Sequence, residues 1–181
     1  MVKPIIAILA GHHGIGTGAS LRWNDEWNLA WEDKLNLFHE LTRDGILHPV
    51  MEPVVDDMDP HERTPITRAA RWAMSQKADA AIELHYNSME EPKYSGHLVC
   101  SNRMTPFVSC MADALDVLPN RRRDTIINVD FLLPKLLDPM PCVLLEPAFI
   151  FEPIVGTPEW PPQLVLAIKH GLYKYFAGEE T

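Results

Sequence analysis

Two histidines and two glutamates stand where short apolar runs end or where helical patterns begin. They are His12 in Gly11-His12-His13-Gly14, Glu26, His85 in Ile82-Glu83-Leu84-His85-Tyr86-Asn87-Ser88, and Glu146 after Val143-Leu144-Leu145. Two neutral imidazoles and one carboxylate, with a fourth position open to water, form the usual donor set of a catalytic zinc site. A further carboxylate beside such a site can take a proton from the attacking water and pass it to a leaving amine. His12, Glu26 and His85 could be the ligands and Glu146 the base, although spacing alone does not establish this. Each ligand also has a plain structural reading. A single histidine is more often a satisfied structural residue, and a first-turn glutamate suits a helix dipole without further function. Glu146 is harder to treat that way, because a carboxylate after a buried strand needs either a partner or a task. His39, His48, His61, His97 and His170 read as surface or structural residues.

The elements that would position these groups alternate between strands and helices. Residues 4–10 form an Ile-rich apolar run, as in a central strand covered on both faces. Glycines 11, 14, 16 and 18 then make a loop, and a helix runs from about Asp25 to Arg43, capped by Asn24 or Asp25 and stopped at Gly45. Its apolar positions are Trp27, Ala30, Trp31, Leu35, Phe38 and Leu41. Residues 46–55 read as a short strand leading into an acidic loop with Asp56, Asp57 and Asp59. Thr64-Pro65 opens a second helix, ending near Lys77, with Ile66, Ala69, Ala70, Ala73 and Met74 on one face. Strands follow at Ala80–Leu84 and His97–Cys100, a helix at about Thr105–Leu118, and short strands at Leu132-Leu133 and Met140–Leu145. A last helix enters through Pro158, Pro161 and Pro162.

This order predicts an α/β three-layer sandwich: a twisted, mostly parallel sheet of about six strands with helices on both faces. Sites in such folds gather beyond the carboxyl ends of strands, which is where His12, His85 and Glu146 fall.

At 181 residues, with 46% hydrophobic and 23% charged residues, the chain fits one globular domain. A net charge of -9 argues against a nucleic-acid partner, since the one basic cluster is Arg121-Arg122-Arg123. Three cysteines without C-x-x-C spacing indicate neither a disulfide framework nor a thiolate zinc site, and favour a reducing compartment. No apolar run approaches the roughly 18 residues that a membrane span needs. Residues 5–10 lack a preceding basic region and read as a strand rather than a signal peptide.

Four of these motifs, in order and at matching intervals, resemble the zinc-dependent N-acetylmuramoyl-L-alanine amidases of the type-3 amidase family. Gly11-His12-His13-Gly14 with Gly18-Ala19 resembles the family's opening Gly-His-Gly-Gly and later Gly-Ala. Glu26 with Gly45 is similar to its helix-heading glutamate and closing glycine. Ala78-Asp79 leading to His85-Tyr86-Asn87-Ser88 and Gly96 resembles its Ala-Asp and His-x-Asn segment, and Leu144-Leu145-Glu146-Pro147-Ala148-Phe149 its Leu-x-Glu-x-x-Phe. The chain departs from the pattern in several places. Leu9-Ala10 replaces Asp-Pro, His13 replaces a glycine, an Arg-x-x-Asp is missing, and Glu83 stands where a small polar residue is usual.

The resemblance implies one zinc ion per chain, held by His12, Glu26 and His85, with Glu146 as the catalytic base. It implies a peptidoglycan or muropeptide substrate, cut at the amide between N-acetylmuramic acid and the first L-alanine of the stem peptide. His13 could replace His12 as ligand. Glu83, on the same strand face as His85, is either an acceptor orienting that histidine or a structural partner. Asn87 could bind substrate backbone or cap a turn. Arg123, placed with Arg121 and Arg122 in a loop, could meet stem-peptide carboxylates or simply be solvated. Residues 1–181 are expected to be a single catalytic domain without a separate wall-binding domain, acting as a monomer. Lacking a signal peptide, the chain would be made in the cytoplasm and would reach the wall after release if it is a phage endolysin; it also fits the excised catalytic part of a larger bacterial enzyme. A zinc carboxypeptidase or other small amidohydrolase is the alternative enzyme. A non-catalytic wall-binding or regulatory module on the same fold is the alternative of another class.

Overall fold

The computed structural model describes residues 2–11, 20–21, 24–53, 65–88, 96–120, 122–128 and 130–178. His12, His13, the acidic stretch at Asp56, Asp57 and Asp59, His61 and Arg121 lie outside them. Six strands form one sheet in the order β4-β1-β5-β8-β6-β7. These are β1 (Ile5–Ala10), β4 (His48–Met51), β5 (Ala80–Leu84), β6 (His97–Ser101), β7 (Arg122–Ile127) and β8 (Cys142–Glu146). β2 (Ser20–Leu21) and β3 (Asn24–Asp25) form a small antiparallel pair of their own. The helices are α1 (Glu26–Asp44), α2 (Pro65–Ser75), α3 (Pro106–Leu115), α4 (Leu132–Leu137) and α5 (Trp160–Ala177).

Strand alternation divides the core into two layers. Ile6, Ile8, Ile82, Leu84, Val143 and Leu145 pack with α1, α3 and α5. Ala7, Leu9, Ala81 and Cys142 face the other way, onto the alanines of α2 (Ala69, Ala70, Ala73) and onto Leu133 and Leu137 of α4. Period-two alternation in strands buried on both sides gives this partition directly. The sheet is parallel except where β6 meets β8. The three-layer sandwich is therefore the one expected, with a single antiparallel junction.

Local signals act as read at several ends. Gly45 stops α1 with a φ of 65° and a 3.1 Å bond from its N–H to the Leu41 carbonyl. Thr105 caps α3 by accepting the Val108 N–H at 3.2 Å. No helix among the described residues is long and apolar enough to cross a membrane.

Three expectations need correction. Leu132-Leu133 is not a strand; it opens α4, where Pro134 is tolerated in the first turn and Leu133 and Leu137 share the buried face four residues apart. Arg122 and Arg123 do not lie in a loop; they open β7, the sheet's edge strand, whose far side has no strand partner among the described residues and tolerates charge. Met74 does not line the buried face of α2 but is 47% exposed.

Candidate metal and catalytic site

The strand ends bring Glu26, Glu83 and His85 together. His85 follows β5, and its N–H bonds the Leu145 carbonyl at 2.9 Å. Glu26 opens α1 and is 4% exposed. Its Oε1 lies 3.3 Å from His85 Nδ1 and also accepts the Tyr86 N–H at 3.2 Å. Glu83 Oε1 lies 3.5 Å from the other ring nitrogen, His85 Nε2. Burial pulls the His85 pKa down, but hydrogen bonding and charge from Glu26 and Glu83 outweigh it and raise the pKa to about 10.

Gly11 leaves β1 against this ring. Its N–H bonds the Leu84 carbonyl at 2.7 Å. A Cβ there would lie 2.2 Å from His85 Cε1. The residue after Gly11 in the sequence is His12.

Glu146 is the last residue of β8, half-buried. The parallel register pairs Leu84 with Leu145, so His85 and Glu146 are the next residues on adjacent strands and project to the same face. On its other side Glu146 pairs with Leu98. Burial, with a smaller contribution from the Glu146 charge, pushes the neighbouring Cys100 thiol up to about 12. All three cysteines are free, so no disulfide constrains this face.

Glu26 and His85 suit a metal ion in chemistry and in separation. Donors about 2.0–2.1 Å from one tetrahedral zinc stand about 3.3 Å apart, the spacing of Glu26 Oε1 and His85 Nδ1. Among the described residues no group of three or more His, Cys, Asp or Glu side chains is arranged around one metal position. The expected third ligand, His12, and its alternative, His13, fall outside the described residues.

Asn87 has its main chain engaged. Its N–H bonds the Ala148 carbonyl at 3.0 Å and its carbonyl accepts the Ile150 N–H at 3.0 Å. Glu152, 6% exposed, holds the same turn, accepting the Gly96 N–H at 2.8 Å and the Phe149 N–H at 3.0 Å on one oxygen. His97 is 1% exposed and lies 3.3 Å from Asp116, a structural histidine as expected. β6 and β7 run opposite to β8, so the starts of both lie along the edge where β5 and β8 end. Arg123 enters β7 at that edge.

A buried polar chain behind His85 has no counterpart among the sequence expectations. Trp160 Nε1 donates to the Tyr86 hydroxyl, which donates to Asp33 Oδ2. Asp33 lies two helical turns after Glu26 on the same face of α1. That seven-residue spacing, ending on an aspartate in an otherwise apolar stripe, was the available signal. Burial raises the Asp33 pKa to about 7 against the lowering effect of the Tyr86 hydrogen bond, with the Glu32 charge adding to the rise.

Asp33 therefore favours folding most when protonated. Its contribution is complete below the unfolded value of 3.8 and is lost as the pH climbs through about 7. Asp33→Asn, which keeps an acceptor for Tyr86, is expected to flatten the decline in stability between pH 4 and 7. The size of that decline is on the order of a few kcal/mol, and urea unfolding of both proteins across this range measures it.

The N-acetylmuramoyl-L-alanine amidase family model (Amidase_3) matches residues 6–154. The catalytic domain of CwlV, an N-acetylmuramoyl-L-alanine amidase from Bacillus (Paenibacillus) polymyxa var. colistinus, superposes with a TM-score of 0.82 at 19% identity, covering 97% of this chain and 99% of that one. AmiC2 of Nostoc punctiforme, also an N-acetylmuramoyl-L-alanine amidase, gives 0.83 at 19% identity over 97% and 98%. The catalytic domain of CD27L, an endolysin targeting Clostridia difficile, gives 0.74 at 17% identity over 94% and 97%. No curated protein sequence matches the chain. Identities this low speak for the fold alone, but the family model spans most of the sequence and takes in Gly11, Glu26, His85 and Glu146. The chain belongs to the N-acetylmuramoyl-L-alanine amidase family.

Proposed function

We propose that this amidase uses one zinc ion held by His12, Glu26 and His85, with Glu146 as general base and then general acid. The observation that carries the proposal is the pair Glu26 Oε1 and His85 Nδ1, 3.3 Å apart where β5 leaves the sheet. Zinc bound there would polarise the scissile carbonyl and make a water acidic near neutral pH.

The remaining work falls to the chain. Glu146, on the same face as His85, takes the proton of the attacking water and delivers it to the alanine nitrogen as the C–N bond breaks. The products are a lactyl carboxylate on N-acetylmuramic acid and a stem peptide with a free alanine amine. Arg123, near the start of β7, is the residue we assign to the carboxylates of the stem peptide. The likeness to an endolysin catalytic domain supports a bacteriolytic role.

Mass spectrometry of digested peptidoglycan tests this. Free stem peptides beginning with alanine are expected from the zinc-loaded protein. None should form after chelation, and zinc should restore them. Cleavage at another bond, or full activity in the chelated protein, would overturn the proposal.

A further inference from the structure

Glu83 is a costly residue for its position. It lies in the middle of β5 with Leu9 and Leu144 as register partners, and it is 3% exposed. Its own face of the sheet carries Ala7, Leu9, Ala81 and Cys142, and an apolar residue at 83 would pack there without the desolvation that a carboxylate requires.

What Glu83 does reach is His85. Two residues apart on one strand, both project to the same face, and Glu83 Oε1 stands 3.5 Å from His85 Nε2. On the other side of the ring Glu26 Oε1 stands 3.3 Å from Nδ1. The two ring nitrogens thus face carboxylates from different elements. A neutral imidazole has one N–H and one lone pair. Of its two nitrogens, Nδ1 faces the other proposed zinc ligand, so the lone pair belongs there and the proton belongs on Nε2.

We infer that Glu83 is a positioning residue: it accepts the Nε2–H of His85 and fixes the ring in the tautomer and orientation that turn Nδ1 toward Glu26 and the metal. The inference rests on the zinc reading above and adds a role for the buried carboxylate in β5. Partners of this kind raise the basicity of a ligating histidine and hold its plane.

The test combines zinc affinity with a spectroscopic readout. In the zinc-loaded protein, long-range proton–nitrogen NMR is expected to show His85 protonated on Nε2. By chelator competition, Glu83→Leu should raise the zinc dissociation constant about 10-fold or more. Glu83→Gln, which retains an acceptor oxygen, should stay within about threefold, and if the Leu variant does not fold, the nitrogen that carries the His85 proton decides. A proton found on Nδ1, or zinc binding by Glu83→Leu as tight as in the parent, would overturn the inference while leaving the zinc reading intact. A parent protein that takes up no zinc would overturn both.

Discussion

Glu146→Gln is expected to keep about one equivalent of zinc and to lose muramoyl-peptide cleavage by about 10²–10⁴-fold, the range that a positioned acid–base group contributes. Three observations lead there. Glu146 ends β8 beside His85, in a register fixed by the Leu84–Leu145 pair and the bond from the His85 N–H to the Leu145 carbonyl. It is half-buried, open enough to meet substrate. Its negative charge is felt by Cys100 on the neighbouring strand. Glutamine preserves the shape and removes only the capacity to take a proton, so KM should hold while kcat falls. Zinc lost from this variant would instead make Glu146 a ligand, and unchanged kcat would remove it from the chemistry.

Gly11→Ala should also impair the site, through a different route. The added Cβ would lie 2.2 Å from Cε1, 2.3 Å from Nε2 and 2.4 Å from Nδ1 of His85, all far inside van der Waals contact. The ring cannot give way freely, because Glu26 and Glu83 stand against its two nitrogens. Displacing it spoils the 3.3 Å approach to Glu26 and alters the exit of the chain toward His12. Zinc affinity is expected to fall about 10–100-fold and cleavage with it, while circular dichroism still reports a folded protein. His85→Ala should match this phenotype. Zinc affinity equal to the parent's would show that the ring can relocate without harm to the site.

Periodicity carried most of the fold. The run from Ile5 to Ala10 and the segment from Ala80 to Leu84 are apolar at every position but Glu83, as strands covered on both faces must be. The misread elements are those in which local composition imitates another state. Leu132-Leu133-Pro134 looks like a buried strand broken by proline, but a first-turn proline and the Leu133–Leu137 spacing suit one short helix. Arg122-Arg123-Asp124 looks like a solvated loop, because only the sheet order reveals that these residues occupy an edge.

At the site, Glu26, Glu83 and His85 were each legible as residue types in suggestive places. Their mutual distances were not, since 57 or more positions separate Glu26 from the other two along the chain. Of the Trp160–Tyr86–Asp33 chain only the seven-residue spacing from Glu26 to Asp33 showed in the sequence, and its partners were hidden for the same reason. It joins α5, the exit of β5 and α1, which only the folded topology makes neighbours.

The reversed junction between β6 and β8 bears on how this scaffold could be diversified. β5 ends and β6 begins along one border of the sheet, so the segment joining them from Ser88 to Gly96 starts and finishes beside the reaction centre. The segment from α3 into β7 returns to that border as well. Lengthening or exchanging these two connections would change the chain that flanks this border, while the sheet-held Glu83 and Glu146 stay where they are. Grafting at Ser88–Gly96 is thus a route to altered muropeptide preference in which catalytic competence and substrate choice can be varied separately.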